Sequence, residues 1–173
     1  GPDLAHELAQ GLPAATVVAS RSADVIARGQ QLLHSAHFQV HSSTDLLGIE
    51  LCGVLKNIVA MGAGCLSGLG YGENAKALLI NQGMIEMIQI GRAMGASIPP
   101  FMGLAGIGDL IATCTSSLSR NHTLGYRLAQ GSMLMQLKGE EMTEGVHTVQ
   151  AIRSLINYYE MRAPITEAMY YIL

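Results

Sequence analysis

A chain of 173 residues, 49% hydrophobic and only 13% charged, can bury one substantial core and is too apolar to be an intrinsically disordered segment. Its net charge of -3, with no basic run of five or more residues, gives nucleic-acid binding no electrostatic support. Cys52, Cys65 and Cys114 are odd in number and lack metal-type spacing, which reads as free thiols in a reducing, cytoplasmic compartment. The six histidines show no ligand spacing either, so no metal site is expected. The ten methionines read as core filler. No signal peptide is visible, and a chain opening on Gly1 rather than Met reads as a piece of a longer protein.

In chain order, residues 1–43 have an α/β texture. A helix is expected over about residues 2–10, ending at Gly11-Leu12-Pro13. The β-branched run 16–20 predicts a strand, residues 23–33 a helix with Asp24 in its first turn, and the alternation over 38–42 a second strand. Two strands do not make a stable sheet alone, so this stretch is expected to be the end of a larger α/β domain. From Ser43 onward the texture is all-helical. Ser43, Thr44 and Asp45 offer caps for a long helix ending near Gly68-Leu69-Gly70. The apolar stretch 49–69 contains Glu50, Lys56, Asn57 and Ser67, which favours a buried core helix over membrane insertion. Further helices are expected over 75–94, just after Gly108-Asp109, over 121–130, over 144–159, and over 165–173 with Pro164 opening the last. The fold class is therefore mainly α, preceded by a partial α/β, Rossmann-type remnant, with a boundary between residues 43 and 44.

Three groups carry possible chemistry. Lys56-Asn57 interrupts a run that otherwise reads as buried helix. An amine facing an apolar wall loses hydration and its pKa tends to fall, which suits proton exchange near neutral pH. A lysine that snorkels to solvent fits the same pattern. Gly108-Asp109 opens a short helix, where the carboxylate either serves a site or complements the helix dipole. Ser119-Arg120-Asn121 combines a cap, a helix start and a planar cation suited to phosphate, or is an ordinary capped helix with a surface arginine.

Together these residues resemble bacterial-type NAD(P)-dependent glycerol-3-phosphate dehydrogenase. The ordered motifs are Gly1-Pro2-Asp3-Leu4-Ala5, Gly53 to Asn57, Gly68 to Asn74, Phe101 to Leu110, Thr113 to Asn121, and Glu144-Gly145. The resemblance implies a helical substrate and catalytic domain of the 6-phosphogluconate dehydrogenase C-terminal type, in which Lys56 is the catalytic proton acceptor. It implies that Gly1, Asp3, Lys56, Asn57, Asp109, Thr113, Ser119, Arg120 and Asn121 face a small phosphorylated substrate. Ala5, Arg120, Met142 and Glu144 would face NAD or NADP, whose main binding domain precedes this chain. A homodimer is expected from the apolar helices. Asp3 stands where the family usually carries serine, and a carboxylate there would repel a phosphate unless paired or turned away. A non-enzymatic helical dimerisation or ligand-binding module, and a 3-hydroxyacid or 6-phosphogluconate dehydrogenase helical domain, are the alternatives.

Overall fold

The computed structural model describes residues 1–131 and 144–173, with the side chain of Glu144 also outside that description. Met142 lies outside the described residues. The chain begins with α1 (Ala5–Ala9), β1 (Ala14–Ala19), α2 (Ala23–Leu33) and β2 (Phe38–Ser43). The strands pair in parallel, with Ala14 opposite Phe38 and Ala19 opposite Ser43. Helix α2 is the crossover that a parallel pair requires. The helix expected from residue 2 starts only at Ala5, because the Pro2 carbonyl accepts a hydrogen bond from Ala15 N–H at 3.3 Å. Residues 1–4 are thereby held along β1 rather than coiled.

The rest is helical, in keeping with the expected fold class. Helix α3 (Leu46–Gly68) runs through the centre of the molecule, surrounded by α4 (Glu73–Ala93), α6 (Asp109–Thr115), α7 (Arg120–Ala129), α8 (Glu144–Tyr158) and α9 (Pro164–Ile172). From Asn57 to Cys65 every residue of α3 is buried. A helix apolar on all sides belongs in a core, and this one is long and apolar enough by composition to cross a membrane. Its most apolar window is 61% buried inside the protein, as a core helix is. Phe101, Leu110, Cys114, Leu124, Val149, Ile156 and Met169 fill the space around it.

Among the cap candidates, Asp45 is the one that accepts from Gly48 N–H, at 2.8 Å. Two elements have no counterpart in the sequence reading. Helix α5 (Pro99–Met102) and a π-helical turn over Leu104–Gly108 lie between α4 and α6 and hand the chain to Asp109. The π-helical turn also packs on β1, so the strand pair meets the helical bundle where the Asp109 helix begins.

Candidate active site

Lys56 sits on α3 and Asp109 opens α6, 53 residues later, yet Lys56 Nζ donates to Asp109 Oδ2 at 2.6 Å. The lysine side chain is 19% exposed and the carboxylate 7%. Neither sequence reading of Lys56 describes this arrangement: the ammonium reaches a buried carboxylate, not bulk water or a purely apolar wall. The carboxylate offsets the cation's charge and fixes its direction, while the remaining exposure leaves Nζ open on one side.

The backbone nitrogen of Gly1 donates to the same Oδ2 at 3.2 Å. Gly1 also lies tightly against β1, where a Cβ would stand 2.5 Å from the Ala15 carbonyl oxygen. The other carboxylate oxygen, Oδ1, receives the Thr113 hydroxyl at 3.2 Å; that hydroxyl also reaches the Asp109 backbone carbonyl at 2.6 Å. Asn57 is buried beside Lys56 on α3.

Cys52 and Cys114, free thiols as the sequence suggests, are buried and flank the pair, a placement the sequence did not indicate. Burial, followed by the Asp109 charge, pushes the Cys52 thiol up to about 12. Burial also pushes Cys114 up to about 12, with Asp109 reinforcing the shift and Lys56 opposing it. Both thiols stay protonated and unreactive, and serve as wall. Cys52 lies one helical turn before Lys56, which is the signal that could have found it.

Helix α7 brings the third group. The Ser119 hydroxyl accepts from His122 N–H at 3.3 Å and caps the helix, as its position predicts. Helices α3 and α7 cross in very close contact: a Cβ on Gly125 would lie 1.9 Å from the Met61 carbonyl oxygen, and one on Gly64 2.0 Å from that of His122. Gly125 faces Met61 while Ala129 faces Gly68, so the helices run in the same direction. One turn back from Gly125 is Asn121; one turn back from Met61 is Asn57. The start of α7 therefore stands over the Asn57 turn. A Cβ on Gly145 would meet both Asn121 Oδ1 and Met61 Cε, at 2.5 and 3.0 Å, which ties the start of α8 to the same place.

Asn121 Oδ1 is buried without a hydrogen-bond donor, whereas Arg120 is exposed and makes no ion pair among the described residues. His122 is held by Ser67, whose hydroxyl lies 3.2 Å from Nε2 and donates to the Ala63 carbonyl. Burial first, and then the Lys76 charge, lowers the His122 pKa, which favours the neutral imidazole. Ala5 opens α1 and is exposed, and the Asp3 carboxylate is 3.8 Å from the Gly1 nitrogen. No group of three or more His, Cys, Asp or Glu side chains able to hold a metal occurs among the described residues.

A half-buried lysine held by a buried carboxylate, with an arginine at a helix start that makes no ion pair among the described residues, is suited to proton exchange beside an anionic ligand, as in an enzyme's catalytic domain. The family model described as "NAD-dependent glycerol-3-phosphate dehydrogenase C-terminus" matches residues 45–173. The chain is 44% identical over its whole length to a glycerol-3-phosphate dehydrogenase (NAD(P)+) of Geobacter metallireducens, of which it covers 52%. It is 46% identical to one of Trichormus variabilis, of which it covers 57%. It therefore spans about half the length of the curated relatives it matches. The crystal structure of glycerol-3-phosphate dehydrogenase from Coxiella burnetii superposes with a TM-score of 0.93 at 34% identity, over 100% of this chain and 54% of that one. A glycerol-3-phosphate dehydrogenase of Saccharomyces cerevisiae gives 0.84 at 28% identity, over 99% of this chain and 54% of that one. The chain belongs to the NAD-dependent glycerol-3-phosphate dehydrogenase family, rather than to the 3-hydroxyacid or 6-phosphogluconate dehydrogenases.

Proposed function

We propose that the intact protein catalyses reversible hydride transfer between NAD(P)H and C2 of dihydroxyacetone phosphate, giving sn-glycerol 3-phosphate for glycerophospholipid synthesis. The observation that carries this reading is the 2.6 Å Lys56–Asp109 pair, set where the strand pair meets the helical bundle. In this reading residues 1–43 end an N-terminal nucleotide-binding domain and residues 44–173 form the substrate-binding and catalytic domain. The protein works in the cytoplasm as a homodimer.

The residues at the start of α7 fit a phosphorylated substrate. The Arg120 guanidinium, without an ion pair among the described residues, suits a phosphate, and the helix start adds backbone N–H groups. Asn121 stands beside Arg120 in the first turn of α7, where its amide N–H can reach the same phosphate. Ala5, Arg120, Met142 and Glu144 would hold NAD or NADP, which when bound supplies or accepts the hydride.

The chain's own residues then divide the work. Lys56 Nζ protonates the C2 oxygen during reduction and takes the hydroxyl proton during oxidation. Asp109 keeps Nζ aimed and offsets its charge. Gly1, Asp3 and Asn57 border the substrate. Arg120 and Asn121, on a helix start fixed by Ser119, grip the phosphate end, so that remote binding aligns C2 with Lys56.

In the full-length protein, Lys56→Ala is expected to lower kcat for dihydroxyacetone phosphate reduction by about two to four orders of magnitude, with KM changed less than about threefold. Steady-state kinetics with NADH or NADPH checks this. Near-normal turnover in that variant rejects the assignment of Lys56.

A further inference from the structure

We propose that Thr113 is a positioning residue, which sets the orientation of the Asp109 carboxylate and through it that of Lys56, without itself touching substrate. The inference rests on the dehydrogenase reading above and departs from the simple lining role given to Thr113 by resemblance.

The geometry leaves Thr113 little else to do. It lies one helical turn after Asp109 on α6, so the two side chains share a face. It is buried, and its hydroxyl reaches both the Asp109 backbone carbonyl, at 2.6 Å, and Asp109 Oδ1, at 3.2 Å. Hydroxyls of helical threonines commonly bond the carbonyl four residues back, and that bond alone would be local bookkeeping of the helix. The second acceptor is what distinguishes this one. Asp109 Oδ2 is taken by Lys56 Nζ and by the Gly1 nitrogen, and Thr113 is the side-chain donor that reaches Oδ1 among the described residues.

The terminal torsion of an aspartate is broad and roughly two-fold, so the carboxylate plane is free to turn unless both oxygens are held. A charged acceptor also competes well for a proton shared with a neutral carbonyl. With Oδ1 held by Thr113, Oδ2 stays in line with Nζ. With that hold removed, only the contacts at Oδ2 set the carboxylate plane, and Nζ is held less firmly where the C2 oxygen must meet it. Misplacing a reacting group by a fraction of its contact distance costs rate rather than substrate binding.

The test compares Thr113→Val, which keeps the shape and removes the hydroxyl, with Thr113→Ser, which keeps the hydroxyl, in the full-length protein, with Lys56→Ala as reference. Thr113→Val is expected to lower kcat about tenfold with KM for dihydroxyacetone phosphate within about twofold, while Thr113→Ser restores most of kcat. A KM rise with unchanged kcat would show that the hydroxyl contacts substrate directly and overturns the proposal. A kcat within about twofold for Thr113→Val, or equal losses in the Val and Ser variants, also overturns it. If either result comes with a crippled Lys56→Ala, the dehydrogenase reading stands without the Thr113 role. Full turnover in Lys56→Ala overturns both.

Discussion

The Asp45 carboxylate accepts hydrogen bonds from Gly48 N–H at 2.8 Å, Ser97 N–H at 2.8 Å and the Ser97 hydroxyl at 2.5 Å. One side chain thus caps α3 and ties its first turn to the loop after α4. The Ser97 hydroxyl, then the Gly48 and Ser97 N–H groups, hold its pKa below the ordinary 3.8, against a small opposing effect of burial. The sign follows from linkage. A carboxyl whose folded pKa lies below its unfolded one binds fewer protons when folded, so its contribution is present above the unfolded value and is lost as pH falls through the folded one. Asp45→Asn keeps a capping oxygen but does not titrate. Unfolding free energy measured by urea titration should therefore fall more steeply below pH 3.8 in the parent protein than in Asp45→Asn. Parallel acid limbs for the two proteins would show that the Asp45 network contributes nothing to acid stability.

Among the elements, the α3–α7 crossing does most to build the site, because it carries Arg120 and Asn121 to the helix that holds Lys56. Its closeness depends on glycine on both sides. The virtual Cβ atoms of Gly64 and Gly125 collide with backbone carbonyls, not with the ends of flexible side chains. The obstacle cannot rotate away, so Gly125→Ala must push the helices apart. Overpacking of this kind costs about 3 kcal/mol, and the displaced α7 start should also raise KM for the phosphorylated substrate. Gly53→Ala is the control: its Cβ meets nothing within 4 Å among the described residues, and alanine is the better helix former by about 1 kcal/mol. Denaturant unfolding of both variants is expected to move in opposite directions. A Gly125→Ala variant as stable as the parent would mean that the crossing relaxes without cost.

At the scale of the whole molecule, what could be read from the sequence is what is encoded locally. Helix α3 announces itself by its apolar run and its Asp45 cap, α7 by Ser119, and α9 by Pro164; the structure has each within a few residues of its expected bounds. What could not be read depends on contacts between distant segments. Residues 2–4 have helical composition but are bonded to β1 through Ala15. The Lys56–Asp109 pair joins residues 53 apart, so composition and periodicity left Lys56 undecided, and only the order of motifs suggested its partner. Glu86 is the clearest case, since nothing in its own helix marks it. It is buried on α4, and its carboxylate accepts from Ile165 N–H and Thr166 N–H at 2.9 Å each and from the Thr166 hydroxyl at 2.5 Å. The residue at the cap position of α9, Ala163, has no side chain able to cap, so Glu86 does that work from 80 residues away. A carboxylate matches the positive end of the helix and two orphan N–H groups at once. Truncation strands those donors in the interior, and Glu86→Ala should cost about 3 kcal/mol in denaturant unfolding. Glu86→Gln keeps one acceptor but turns an amide N–H toward a backbone donor, so its loss should be smaller, about 1–2 kcal/mol. Since α9 packs on both α3 and α4, the loosening should reach the core and lower the unfolding temperature of the entire bundle in one transition. A loss below about 0.5 kcal/mol for Glu86→Ala would mean that water replaces the carboxylate and that α9 needs no cap from α4.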